Sequence, residues 1–465
     1  MSIKASFVST LFATLAMTTM AALAGNPFSG VTSTADGFHT WDSDLINLEA
    51  VPQTGKGVYV AVLDTGMVPN WRDYFPEARV ATGLGAGFVQ PVSFKAGNVD
   101  PCGLEVEVGT LRKTTWVGSR GSTHGTHVAS TILGYFYDSN FDTLAGFSLP
   151  PIMVRGIAPD VTVIPVRVLA DYQIPARPKC SDPALQASGN AVFGTSAMVA
   201  AGIRYATDLK RAGYSPMVIN MSLGGPALEA VEQAALDYAI ANGVIVVAAA
   251  GNAGEAGMGY PGAYAPVISA GSIGWTKEWL KPSDGQPRYR MWWLKDSIHV
   301  PPLLADSGDV ADATDPNDIY VSDFSSRALP GQELDVLAPG SWVRGPFAGD
   351  PGFNHLPWWS KGIGDVRGGN AGNFFYVGGT SMATPHVAGV AALMLQKNPT
   401  LSQADVEFYL KASALLLPST DTRSIFDFDH PATIGWDTDC AGTPCDAVGA
   451  GVVQADTALA MTPAP

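Results

Sequence analysis

Short, nearly continuous apolar runs alternate with longer segments of helical spacing through the first half of the chain. The apolar runs cover residues 57–63, 161–169, 217–220 and 243–250. The segments with a helical pattern cover residues 195–212 and 228–241. Short runs without polar alternation are typical of strands buried on both faces. The pattern therefore predicts an α/β fold with a mostly parallel central sheet and helices on both faces, where functional residues gather at the carboxyl ends of the strands.

Two stretches break this rhythm and are rich in tryptophan. They cover residues 275–321 and 342–375. Stretches of this length inside a compact domain predict surface insertions. Tryptophans on such insertions either pack into loop clusters or form carbohydrate-binding platforms, and packing is favoured. With no internal repeat and no low-complexity linker, we expect one domain over residues 25–465.

The N-terminus has the pattern of a secretory signal peptide. Lys4 precedes an apolar or small run over residues 7–23, which ends in Ala22-Leu23-Ala24. Serines and threonines interrupt this run, and it is shorter than the roughly 20 apolar residues of a membrane span. We therefore predict cleavage after Ala24 and export of the remaining chain to the extracellular space or the periplasm, without a membrane partner.

The net charge and the cysteines indicate which partners and which cross-links the protein has. The chain has 27 Lys and Arg against 42 Asp and Glu, a formal net charge of −15, which argues against a nucleic-acid partner. Four cysteines in an exported protein favour disulfides over a metal site, because they lack zinc-ligand spacing. Three connectivities are open. The short separation of Cys440 and Cys445 favours that pair, which leaves Cys102 with Cys180.

Three local sequences carry the residue types of nucleophilic catalysis. Asp64 ends the first apolar run, where a carboxylate is costly to bury unless it holds a partner. His124 lies in Gly121-Ser122-Thr123-His124-Gly125-Thr126, whose small residues suit a helix that begins close against the sheet. Ser381 lies in Gly379-Thr380-Ser381-Met382-Ala383-Thr384-Pro385, also at a predicted helix start, where we expect Pro385 to fall in the first turn.

These residue types form a chemically complete set. A serine hydroxyl is a weak nucleophile until a histidine takes its proton, and the histidine needs a carboxylate to fix its tautomer and stabilise its charge. At a helix start, Ser381 also presents its backbone N–H to a developing oxyanion. Asn252 follows the apolar run at 243–250 and offers an amide N–H for the same purpose.

The motifs around these residues resemble those of the subtilisin-like serine peptidases. The resemblance is carried by Val62-Leu63-Asp64-Thr65-Gly66, by His124-Gly125-Thr126-His127-Val128-Ala129 and by Gly379-Thr380-Ser381-Met382-Ala383-Thr384-Pro385-His386-Val387-Ala388-Gly389. The order Asp, His, Ser along the chain is also that of this family. The resemblance runs from about residue 57 to about residue 458, apart from the insertions.

The resemblance implies a secreted serine endopeptidase that forms an acyl-enzyme and takes proteins or peptides as substrates. By this resemblance, Asp64 would orient His124, and His124 would act as general base and then as general acid. Ser381 would attack the peptide bond, and Asn252 would stabilise the oxyanion. His127 and His386 beside the motifs are expected to have structural roles. The chemistry would need no cofactor, and we expect a monomer.

The same resemblance implies where the substrate binds. The substrate backbone would add as a strand along Ser222-Leu223-Gly224. The main pocket would have Ala249, Ala250 and Gly251 as walls and Gly259 as floor. A glycine floor implies a preference for a large apolar side chain before the scissile bond.

Two features depart from the family pattern. Only residues 25–63 separate the predicted signal peptide from Asp64, which is too few for a long propeptide, and most of them are expected to belong to the mature fold. Relatives also bind calcium, and Asp73 matches one of their ligands. The loop over residues 135–154 lacks their other clear oxygen ligands, so the sequence leaves a structural calcium site, and its metal ligands, open.

Two functions other than that of an active endopeptidase fit the sequence less well. An esterase or lipase on another α/β fold does not fit the chain order or the serine motif. An inactive peptide-binding scaffold of the same fold would be expected to lack a triad residue or the oxyanion amide, and all four residues are present.

Overall fold

The computed structural model describes nine segments of the chain. They are residues 28–97, 100–118, 122–137, 151–280, 288–289, 315–347, 360–361, 374–425 and 433–465. Residues from Thr32 to Pro465 form one compact unit. The predicted signal peptide, residues 1–24, lies outside the described residues. Within the described segments, no helix is both long enough and apolar enough to span a membrane.

A nine-stranded sheet forms the centre of the compact unit. In chain order its strands are β1 (Tyr59–Asp64), β2 (Ala86–Val89), β3 (Arg112–Thr114), β4 (Thr162–Arg167), β5 (Met217–Met221), β6 (Ile245–Ala249), β7 (Ile268–Trp275), β8 (Ile319–Val321) and β9 (Val336–Pro339). Their spatial order is β8-β7-β6-β5-β1-β4-β2-β3, and β9 also pairs with β7. Only the β7–β8 and β2–β3 pairs are antiparallel. The predicted mostly parallel sheet is confirmed, as are its four predicted strands β1, β4, β5 and β6.

Helices cover both faces of this sheet. They are α1 (Trp41–Asp44), α2 (Ser122–Leu133), α3 (Ser196–Arg211), α4 (Ala230–Ala241), α5 (Thr380–Lys397), α6 (Gln403–Ala412) and α7 (Ala455–Met461). In β1, Val60 and Val62 pack in one core cluster with α2 and α5, whereas Ala61 and Leu63 pack in another with α3 and α4. Because side chains alternate along a strand, Asp64 faces the same side as Val62, toward α2.

Among the described residues, seven small sheets lie outside the central sheet. Their paired strands are Val92–Ala96 with Leu104–Val108, Gly134–Tyr137 with Ile152–Arg155, Ala170–Ile174 with Gly189–Phe193, Trp279–Leu280 with Arg288–Tyr289, Phe374–Val377 with Val343–Pro346 and Ser360–Lys361, Asp421–Ser424 with Thr433–Trp436, and Asp439–Cys440 with Thr443–Pro444. Both expected disulfides are formed, Cys102–Cys180 with Cα atoms 4.6 Å apart and Cys440–Cys445 with Cα atoms 5.8 Å apart.

The expected position of Pro385 was wrong. Helix α5 begins at Thr380, so Pro385 is its sixth residue and lies beyond the first turn. The helix starts this early because the backbone N–H of Thr380 is capped by Asn252 Oδ1 at 2.8 Å, a contact that the local sequence does not contain. Proline has no N–H, so the carbonyl of Ser381, four residues earlier, loses its usual helical donor.

Candidate active site

Asp64 and His124 form a direct hydrogen bond at the carboxyl end of β1. His124 Nδ1 lies 2.8 Å from Asp64 Oδ1. The Asp64 side chain is fully buried, while about 20% of the His124 side chain remains exposed. Since a carboxylate can only accept, Nδ1 carries the hydrogen and Nε2 is left to accept a proton.

Neighbouring groups fix this pair in place. Asp64 Oδ1 also accepts the backbone N–H of Thr65 at 2.6 Å. The Thr65 hydroxyl oxygen accepts the backbone N–H of Gly125 at 2.9 Å, which ties the start of α2 to the end of β1. Burial disfavours the charged form of His124, but the charge of Asp64 and its hydrogen bond outweigh burial and raise the pKa of His124 above its usual value.

Ser381 is the second residue of α5 and lies against the end of β5. Its hydroxyl donates to the backbone carbonyl of Ser222 at 3.2 Å. In the parallel pair β1–β5, Val62 lies opposite Asn220, so Asp64 and Ser222 lie level at the same edge of the sheet. Helices α2 and α5 pack against each other on this side. The fold therefore gathers all three predicted triad residues at one edge.

The amide of Asn252 has a defined orientation. Its Oδ1 accepts the backbone N–H of Thr380 at 2.8 Å and the hydroxyl of Thr380 at 2.9 Å. The same hydroxyl oxygen accepts the backbone N–H of Gly251 at 3.2 Å, so its hydrogen is directed to Asn252. With Oδ1 engaged by two donors, the Nδ2 group of Asn252 points away from Thr380.

Two N–H groups face one small space beside Gly379. A Cβ atom placed on Gly379 would lie 3.5 Å from Asn252 Nδ2 and 3.7 Å from the backbone nitrogen of Ser381. Glycine leaves this space open. As the second residue of α5, Ser381 has a backbone N–H without a carbonyl partner in its own helix, at the positive end of the helix dipole. Asn252 Nδ2 and the Ser381 backbone nitrogen therefore lie beside the same space.

The residues predicted for the substrate pocket also come together. Gly225 and Tyr260 exchange two backbone hydrogen bonds, at 2.7 and 2.8 Å, which hold the segment after Gly224 beside Gly259. The backbone N–H of Gly259 donates to the carbonyl of Ala250 at 2.8 Å. A Cβ atom on Gly259 would lie 3.4 Å from the carbonyl oxygen of Gly225. Gly259 therefore lies between the backbone of Ala250 and Gly251 and the segment Gly224-Gly225.

His127 and His386 are fully buried and bonded to other groups. His127 Nε2 lies 3.1 Å from the carbonyl of Val343, and burial, followed by the charge of His124, lowers the pKa of His127 to about 3. His386 lies between the carbonyl of Met382, at 2.8 Å, and Asp42 Oδ2, at 3.0 Å. These contacts agree with the structural roles expected for both histidines.

Carboxylates that could bind a metal ion lie in two places among the described residues. Asp73 accepts from Asn70 Nδ2 at 3.0 Å, and residues 138–150, in the loop that the sequence left open as a calcium site, lie outside the described residues. Among the described residues, one group of three carboxylates converges, namely Glu333, Asp335 and Glu407.

The ammonium of Lys411 already bonds to all three of these carboxylates. Burial opposes the charge of Lys411, but its bonds to Glu333 and Asp335 outweigh burial and raise its pKa. Lys411 therefore neutralises part of the negative charge of this group.

Comparison with known proteins decides the family. A family model described as "Subtilase family" matches residues 55–436, most of the chain. The chain belongs to the subtilase family. Subtilases are serine endopeptidases that hydrolyse peptide bonds, and their catalysis needs no cofactor.

Individual relatives agree with this assignment. Subtilisin DY of Bacillus licheniformis is 29% identical over 371 residues, which cover 79% of this chain and 87% of that protein. Subtilisin Savinase of Lederbergia lenta is 29% identical over 369 residues, with 79% and 87% coverage. The solved structure of sphericase has a TM-score of 0.50 at 24% identity, covers 89% of this chain and 97% of its own, and supports the fold.

Sequence reasoning missed two polar groups in this subtilase. The Thr380 side chain orients the Asn252 amide, and the Ser222 hydroxyl donates to the carbonyl of Ser381 at 2.7 Å. Only the backbone of Ser222 was predicted to have a role. The signal that could have found its hydroxyl is Pro385, which leaves the Ser381 carbonyl without its helical donor.

Proposed function

We propose that this subtilase cleaves peptide bonds in proteins with Asp64, His124 and Ser381 as a catalytic triad and Asn252 as an oxyanion donor. The main support for the proposal is that Asn252 Nδ2 and the Ser381 backbone nitrogen lie beside the same space at Gly379, at the start of a helix. An inactive scaffold has no need for this empty, donor-lined space. The buried Asp64–His124 hydrogen bond, at 2.8 Å, supports the same assignment.

The proposed mechanism follows from these positions. His124 Nε2 takes the hydroxyl proton of Ser381 while Ser381 Oγ bonds to the scissile carbonyl carbon. The resulting oxyanion accepts from the Ser381 N–H and from Asn252 Nδ2, and Asp64 stabilises the imidazolium. His124 then gives its proton to the leaving amine, which yields an acyl-enzyme. Water attacks the acyl-enzyme while His124 takes its proton. His124 then returns that proton to Ser381 Oγ as the bond to the acyl carbon breaks, which releases the acid and restores Ser381.

One adjustment must precede the first step. The Ser381 hydroxyl donates to the carbonyl of Ser222 at 3.2 Å, a long contact for an O–H donor. Rotation about the Cα–Cβ bond of Ser381 exchanges this acceptor for His124 Nε2. Catalytic hydrogen bonds commonly tighten only when substrate is bound.

The pocket supports a preference for a large apolar side chain before the scissile bond. Its proposed walls are Ala249, Ala250 and Gly251 and its floor is Gly259, so these four side chains offer only methyl groups or hydrogen. Apolar contact without a fixed charge favours hydrophobic over charged substrates. The substrate backbone is proposed to lie along Ser222-Leu223-Gly224 as an added strand.

We further propose that residues 1–24 are a signal peptide and that a monomeric enzyme acts on proteins outside the cytoplasm. The small and apolar run before Ala24 and the two disulfides support export.

The decisive experiment compares Ser381→Ala with Ser196→Ala on an unfolded protein substrate. Ser196 lies in Gly194-Thr195-Ser196-Ala197-Met198, a sequence that resembles the motif around Ser381. It is the first residue of α3 and follows the cap residue Thr195. We expect Ser381→Ala to abolish cleavage with an unchanged circular dichroism spectrum, and Ser196→Ala to retain it. Retained turnover by Ser381→Ala would overturn the assignment, and an inactive but peptide-binding wild type would favour the scaffold.

A further inference from the structure

Helix α5 lacks one backbone hydrogen bond at the residue proposed as nucleophile. The carbonyl of Ser381 would normally accept the N–H of residue 385, but that residue is proline. An unsatisfied carbonyl at a helix start leaves the adjoining peptide less firmly held. The structure supplies a donor from another element instead, because Ser222 Oγ donates to this carbonyl at 2.7 Å.

The direction of the Ser222 hydroxyl is itself fixed. Asn220 Nδ2 donates to Ser222 Oγ at 3.1 Å, so this oxygen accepts from Asn220 and its own hydrogen is available to Ser381. Asn220 is fully buried and Ser222 is 2% exposed, which keeps water from replacing either contact. The backbone carbonyl of Ser222 also accepts the Ser381 hydroxyl at 3.2 Å. Ser222 therefore contacts Ser381 at both its main chain and its side chain.

We propose that Ser222 is a positioning residue. Its hydroxyl holds the Ser381 carbonyl against the end of β5 and replaces the N–H that Pro385 lacks. It acts through the backbone of Ser381 and touches no reacting atom. The inference rests on the proposed function, since it assumes that Ser381 is the nucleophile. Small displacements of a nucleophile reduce turnover more than substrate binding, so loss of the hydroxyl affects kcat rather than KM.

A double-mutant cycle of Ser222→Ala and Pro385→Ala tests this role. Ser222→Ala is expected to lower kcat for a tetrapeptide substrate about tenfold, the effect of one lost hydrogen bond, with KM changed less than twofold. Pro385→Ala restores an N–H directed at the Ser381 carbonyl. The double variant is therefore expected to regain several-fold in kcat over Ser222→Ala, whereas Pro385→Ala gives no gain when Ser222 is present.

Thr207→Val is the matched control. Thr207 is fully buried, and its hydroxyl donates to a helical carbonyl, that of Ile203, at 2.8 Å, as the Ser222 hydroxyl does to Ser381. Its loss is expected to lower the melting temperature without changing kcat. If Ser222→Ala does not fold, Ser222→Cys, which keeps a weaker donor, takes its place in the cycle.

The outcomes separate this inference from the proposed function. The positioning role would be overturned if kcat of the double variant were lower than kcat of both single variants, or if Ser222→Ala changed KM alone. In either case the wild type would still cleave peptides and be labelled at Ser381, so the proposed function would stand. A wild type that neither cleaves nor reacts with a fluorophosphonate would instead overturn the proposed function.

Discussion

At the scale of single residues, Asn252 has two separable tasks. Its oxygen caps the first N–H of α5, and its nitrogen faces the space beside Gly379. Only the second contact strengthens as charge appears on the substrate oxygen, so its loss changes turnover rather than binding.

Asn252→Leu is therefore expected to lower kcat by about 10² to 10³ with little change in KM. Steady-state kinetics on a tetrapeptide substrate measure both constants. Asn242→Leu is the control, because Asn242 Nδ2 donates to the carbonyl of Tyr238 outside the site. A change confined to KM would make Asn252 a binding residue.

The Asp64–His124 pair predicts the pH dependence. His124 must be neutral to act as base, and its pKa lies above the usual 6.5, so protonation already inactivates the enzyme as the pH falls toward that value. Activity is expected to rise from acid toward neutral pH, with its midpoint above 6.5. An NMR titration of His124 in Ser381→Ala should give the same midpoint, and Asp64→Asn should move it to lower pH. A sharp activity optimum near pH 4 would contradict the mechanism.

At the scale of elements, the sequence predicted the parallel strands well because each is a short apolar run buried on both faces. The start of α5 was less predictable, since the Asn252 cap on Thr380 joins residues 128 positions apart. The site shows the same division. The residues of the proposed triad lie in local motifs. The Ser222 hydroxyl, in contrast, meets its partner carbonyl 159 residues away, and a sequence pattern carries no information on that distance.

The first insertion, 275–321, has an ordered base. Trp275 pairs with Ile319 in the β7–β8 register. Glu278 is 5% exposed and accepts from Tyr320 and Ser341, each at 3.2 Å. Most residues beyond this base, 281–287 and 290–314, lie outside the described residues. We predict that this insertion packs on the second, 342–375, beside the cleft and restricts which substrates enter.

Replacing residues 281–314 with a short Gly-Ser turn tests that prediction and keeps the Glu278 base. If the insertion restricts access to the cleft, kcat/KM for a folded protein substrate is expected to rise relative to kcat/KM for a tetrapeptide. The ratio of the two values is the measurement. An unchanged ratio, with a loss only in melting temperature, would leave the insertion a structural role.

At the scale of the whole molecule, the segment before β1 is joined to the rest of the fold. Gln454 Nε2 donates to the carbonyl of Leu45 at 3.2 Å, and Asn47 Nδ2 donates to Gln454 Oε1 at 2.7 Å. Asp42 on α1 contacts His386 on α5, and both are buried. The N-terminal segment therefore stabilises the helix that carries Ser381.

Asp42→Ala should destabilise the fold strongly, because it leaves a buried His386 nitrogen without its partner. We expect a loss of about 2 kcal/mol in the free energy of unfolding, the cost of leaving a buried polar group without its hydrogen bond. Urea unfolding in the Ser381→Ala background, which prevents self-digestion, measures it. Glu229→Ala removes an exposed carboxylate and is the control. Equal stability of the two variants would show that the Asp42–His386 contact is not important for stability.

Covalent labelling with a fluorophosphonate, located by mass spectrometry of peptides, tests the central claim most directly. Triad chemistry predicts one adduct per chain on Ser381, no adduct in Ser381→Ala, and much slower labelling in His124→Ala, because the base that activates the hydroxyl is gone. An adduct on another serine, or equal labelling rates in the wild type and His124→Ala, would contradict the account.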